Sequence, residues 1–190
     1  MKKRLKVYIG LVVLALICNS VYFLYPSRRA VFDYNRYTVT ESGLYKEPLC
    51  VTIHPNQYPF EAYGKHEINQ LIHHAHSTDI CLSEIRFDDE RVTIRIDSNI
   101  KWSFSEGECL LQGQHYINDQ GTPCTVSSFA SYTIVNEKGE NADYTQCGGG
   151  PNDLISFTYD KDEFYKHDSL TFNFGGYYLH RYKLKPLKIL

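Results

Sequence analysis

The chain has 190 residues, 43% of them hydrophobic and 22% charged, which is room for one domain with its own core. Its formal charge of −2 hides an asymmetry: Lys2, Lys3, Arg4 and Lys6 crowd the N-terminus, while every acidic residue lies from Asp33 onward. Residues 26–190 are therefore net acidic, and such a domain has no electrostatic reason to bind nucleic acid.

In chain order, residues 1–6 form a basic N-terminus expected in the cytoplasm. Residues 7–25, VYIGLVVLALICNSVYFLY, carry no charge; as a helix they span ~28 Å against a hydrocarbon core of about 30 Å. With basic residues before the run, the positive-inside rule reads it as a transmembrane signal-anchor of a bacterial inner membrane, single-pass, with the C-terminal domain in the periplasm. The alternative is a cleaved signal peptide with its site near Ser20, which leaves a soluble periplasmic protein. The apolar run continues past that site to Tyr25, as an anchor would. Residues 26–36 read as a linker and residues 37–190 as an extracytoplasmic β-rich domain.

Within that domain, PLCVTI (48–53) reads as an early strand. GKHEINQLIHHAH (64–76) follows, with Ile68, Leu71, Ile72 and Ala75 at i, i+3, i+4 and i+7, which predicts one amphipathic helix. That helix would turn His66 and His73 to solvent. The segment resembles the HExxH zinc-peptidase pattern but fails it at Gln70, a neutral amide where zinc requires an imidazole. His73 and His76 could share an ion only with ligands brought from elsewhere, so no metal, cofactor or catalytic residue is assigned.

Alternating apolar segments follow: DICLSEIRF, RVTIRID, NIKWSF, CLLQGQHYI, VSSFASYTIV, LISFTY, LTFNF and YYLHRYKL. Sixteen Tyr and ten Phe suit such pleated surfaces. Turn signals between them suggest hairpins, clearest at LTFNFGGYYLHRY, where Gly175 and Gly176 could form a two-residue turn. CGGGPND (147–153) reads as a loop and YDKDEF as a polar turn. The predicted class is thus mainly β, an antiparallel meander or sandwich-like domain with one amphipathic helix, preceded by a transmembrane helix.

Cys50, Cys81, Cys109, Cys124 and Cys147 contain no CxxC pair, and in an oxidising compartment they read as a disulfide framework. Cys124 with Cys147 is the preferred bridge, because the two flank a hairpin centred on NEKGEN; a loop of that size gives roughly 3 kcal/mol. Glu106 and Glu108 are carboxylates of the type a glycosidase pair needs, but sequence spacing does not fix their separation. No GxSxG elbow is present.

Surface chemistry is what remains. Asp88, Asp89 and Glu90 form an acidic turn expected to attract a basic protein partner. The function expected from anchor, size and absence of catalytic motifs is a membrane-anchored periplasmic binding module, such as an immunity or inhibitor protein. The alternatives are an accessory subunit of an envelope assembly and a small envelope hydrolase with scattered site residues.

Overall fold

The computed structural model describes residues 8, 10–16, 26–32, 36–61, 63–126, 132–150 and 154–186. It is mainly β, with antiparallel sheets and short helices.

Three consecutive strands, β3 (Lys65–Ala75), β4 (Thr78–Phe87) and β5 (Arg91–Ile100), form a meander, of which β4 and β5 were expected from sequence. In β4 the buried positions are Ile80 and Leu82, then Ile85 and Phe87, so the alternation changes parity midway. A bulge between Leu82 and Glu84 absorbs that change. β11 (Leu154–Asp160) pairs with β5, and β10 (Gln146–Gly150) pairs with β11, completing a five-stranded sheet in the order β10-β11-β5-β4-β3.

A second sheet, in the order β2 (Leu49–Ile53), β12 (Leu170–Phe174), β9 (Thr133–Asn136), presents Val51, Ile53, Ile134, Leu170 and Phe172 to the same core. Phe157 and Phe172 meet across it at 5.1 Å between ring centroids. Burying each such side chain contributes about 1.5–3 kcal/mol.

The third sheet has the order β1 (Tyr37–Leu44), β13 (Tyr177–Leu184), β6 (Glu106–Gln112). One face of it carries Tyr37, Cys109, Leu111 and Tyr182, a smaller core that also receives Val31. Val31 sits on α1 (Arg28–Phe32) and is fully buried, so residues 26–36, expected as a linker, contain a helix packed on the domain. A two-stranded hairpin of β7 (Gln114–Ile117) and β8 (Pro123–Val126) extends from β6.

The structure corrects several expectations. The His-rich segment is strand β3, not a helix. Bulges between Glu67 and Gln70 and between Leu71 and His73 insert extra residues into its alternation, so Ile68, Ile72 and Ala75 share the packed side at spacings that imitate a helix. Its turn also carries no customary signal: His76 (φ 47°) and Ser77 (φ 57°) are a two-residue turn with both φ positive, where Asn-Gly is usual. LTFNFGGYYLHRY is not a hairpin, because β12 pairs with β2 and β9 while β13 pairs with β1 and β6. Gly175 and Gly176 instead carry the chain from one sheet to another.

NIKWSF is strand only to Ile100; residues 101–103 are irregular, and Trp102 packs on the smaller core. YDKDEF contains the helix α2 (Lys161–Tyr165), and the CGGG run pairs as β10. Of VSSFASYTIV, the described strand is β9 together with Val126 at the end of β8, and residues 127–131 lie outside the described residues. Residues 1–6 and 17–25 lie outside them too. Tyr8 and residues 10–16 are helical with exposed apolar side chains, and among the described residues no helix is long and apolar enough to cross a membrane.

Candidate functional site

The acidic turn expected from sequence is built by β4 and β5. Asp88 Oδ1 accepts from the backbone N–H of Arg91 (2.9 Å) and of Glu90 (3.3 Å), so this carboxylate holds the turn. Asp89 and Glu90 extend from it, exposed. The Lys161 N–H donates to the Glu90 carbonyl at 2.8 Å, which brings Asp160 and Asp162, seventy positions on, against the first acidic turn. The ammonium of Lys161 is turned onto the Phe60 ring, 4.1 Å from its centroid.

Beside this turn stands Tyr63, 74% exposed and in the left-handed region at φ 60°, where a bulky residue is uncommon. The Phe87 N–H donates to Gly64 O at 2.9 Å and pins this segment to the end of β4. The Tyr63 hydroxyl bonds Asp89, which, with slight burial and the charge of Asp88, raises its pKa. An exposed aromatic ring among carboxylates suits the aliphatic stem and charged head of a Lys or Arg on another protein.

A second concave feature lies between β1 and β7, a cleft of about 470 Å³ lined by Val39, Glu41, Gln114, His115, Tyr116 and Ile117. Register puts Glu41, His180 and Cys109 in one row across β1, β13 and β6. Those residue types compose a thiol-protease triad. The geometry does not, because Cys109 and His180 are 0% exposed and the His180 Nε2–H donates to Gly113 O at 3.3 Å. His115 meets His180 edge-to-face at 5.3 Å between ring centroids and lies tilted against Phe32 of α1 at 4.6 Å. Burial first, then His180 and Arg28, pushes the His115 imidazole down to about 4.

A larger groove of about 700 Å³ crosses the outer face of the β1-β13-β6 sheet. Its carboxylates are already matched across the strands, Glu106 with Lys183 (3.2 Å) and Glu108 with Arg181 (2.5 Å). Glu106 and Glu108 therefore act as strand partners, and Arg181 and then His76 hold the Glu108 carboxyl below its usual range.

The histidines of β3 and its turn form separate pairs rather than a common site. His73 bonds the Tyr45 hydroxyl at 2.7 Å, His74 bonds Asp79, and His76 Nδ1 donates to Glu108 at 2.6 Å. His66 reaches the Pro59 carbonyl at 3.3 Å. Among the described residues no group of three or more His, Cys, Asp or Glu is arranged to hold a metal ion.

No disulfide joins two described cysteines, of which Cys50 is exposed, Cys81 and Cys124 half-buried and Cys109 buried. The side chain of Cys147 lies outside the described residues, so the Cys124–Cys147 bridge stays an expectation. No protein-family model, curated protein or solved structure matches the chain. Asp160 and Asp162 are legible from sequence as a second acidic cluster, but nothing local in the chain ties that cluster, or Tyr63, to Asp88–Glu90. Glu41 had a local signal: in YTVTE it falls in phase with buried Tyr37.

Proposed function

We propose that this chain is a membrane-tethered, extracytoplasmic binding module that docks a basic protein partner on the end of the five-stranded sheet, as an immunity or inhibitor protein would. The observation that carries the reading is the meeting of the acidic turn Asp88–Glu90 with Asp160 and Asp162 at the start of α2, beside exposed Tyr63. Complementary charge there speeds encounter, while a ring at the centre gives contact area at small entropic cost. The tether rests on residues 7–25 and their basic flank, and the exposed apolar side chains Leu11, Val12, Leu14 and Leu16 would gain from an apolar surround.

Asp88 belongs to the turn itself, so the test leaves it in place. A photo-crosslinking residue is introduced at Tyr63, with one at exposed Lys138 as control, in cells that make the full chain from its own locus. The expected result is a discrete adduct from position 63, absent from position 138, with a partner basic at its contact surface. Asp89→Lys with Glu90→Lys should abolish the adduct at unchanged folding. No adduct from position 63, or one that survives charge reversal, would overturn the reading.

A further inference from the structure

Glu41 is an anomaly of placement. The side chains of Tyr37, Val39 and Glu41 share the inner face of β1, and Glu41 stands in the same row as fully buried His180. A half-buried carboxylate on such a face costs free energy unless it is neutralised or well hydrogen-bonded. Its partner among the described residues is a neutral amide, Gln114 Nε2, donating to Oε1 at 3.1 Å. Arg28 influences His115 through space but does not line the cleft.

The surroundings match one class of ligand. The carboxylate lies at one side of a cleft whose volume suits a small molecule, near the low end of the ~300–1,000 Å³ usual for ligand pockets. Tyr116 and Ile117, 45% and 47% exposed, both line it, and strand alternation puts Tyr116 on the same side of β7 as Gln114, which bonds Glu41. His115, more than nine-tenths buried, also lines the cleft, with its ring packed against Phe32 and His180. Its depressed basicity keeps it uncharged at neutral pH, so it does not repel a cation.

We propose that the cleft between β1 and β7 binds a small organic cation, an ammonium group on a short apolar body, with Glu41 as its counter-ion and Tyr116 and Ile117 against the body. The site is separate from the acidic end of the five-stranded sheet and stands or falls without it. The competing account is that Glu41 is an inward-pointing charge that keeps edge strand β1 from pairing with another chain.

The test is calorimetric titration of the full chain in detergent micelles with phenethylamine, and with its uncharged analogue 2-phenylethanol. Phenethylamine should bind at about 1 mM or tighter, and the alcohol at least about tenfold more weakly. Glu41→Gln should weaken the amine by about tenfold with an unchanged melting temperature, Tyr116→Ala should weaken both ligands, and Glu67→Gln, on β3, should weaken neither. Equal binding of amine and alcohol would overturn the proposal. So would undiminished binding by Glu41→Gln, or a wild type that binds neither ligand.

Discussion

His115 and His180 pack against Phe32, and burial lowers the basicity of both imidazoles, with His115 reaching about 4. An unfolded chain would protonate His115 near its ordinary value of 6.5. Between those values the unfolded state binds the extra proton, so stability is full above pH 6.5, falls as the pH drops, and stops falling for this reason below about 4. For His115 alone the loss at pH 5 comes to about 2 kcal/mol. Urea unfolding at pH 7.5 and pH 5 should show that loss in the wild type and a much smaller one in His115→Leu. A wild-type profile flat across this range would refute it. Lys101 and then His74 hold the Asp79 carboxyl below its usual range, so the His74–Asp79 contact also loses its contribution as the pH falls, but only through the more acidic carboxylate range. Neither buried histidine announces itself in the sequence. His115 and His180 each lie in an alternating segment with tyrosines, and only the packing of α1 over them makes them differ from the solvated histidines of β3.

At the scale of elements, β3 shows how a local pattern misleads. Each bulge shifts the strand's phase by one residue, so a period of two with two slips reads as i, i+4, i+7. Pairing with β4 along most of its length then outweighs whatever helical preference the segment has on its own. The β3–β4 turn has a testable cost, because His76 and Ser77 both occupy the left-handed region without being Gly or Asn. His76 is held there by its bond to Glu108, but Ser77 is exposed. Ser77→Gly should therefore stabilise the domain by up to about 1 kcal/mol, an effect readable in the urea midpoint. A destabilised Ser77→Gly variant would show that the serine side chain matters more than the backbone strain. β5 was legible because its buried positions alternate cleanly, and β4 because its apolar positions alternate on either side of one bulge.

For the whole molecule, the proposed membrane tether predicts that the basic N-terminus and the acidic domain lie on opposite sides of a membrane, and it has a direct test. A reporter active only outside the cytoplasm, fused after Leu190, should be active, and the protein should stay with membranes after a high-salt wash. Activity of a cytoplasm-only reporter would overturn that orientation, and recovery of a soluble chain beginning at Val21 would favour cleavage. What the sequence determined by itself was the material: an acidic, tyrosine-rich, antiparallel β domain whose strands follow from period-two burial, and an acidic turn at Asp88–Glu90. Those features are local, set by neighbours along the chain. Tertiary structure alone decided which strands pair. β12 and β13 are joined by two glycines yet belong to different sheets, because Phe172 and Phe174 bury against Phe157 and its neighbours, while Tyr182 buries against Tyr37. It also decided that Asp160 and Asp162 join Asp88–Glu90, and that Glu41 opens into a cleft beside His115. Such meetings rest on contacts between residues many tens of positions apart, and burial of apolar area, which drives them, is non-directional and leaves no mark on local spacing.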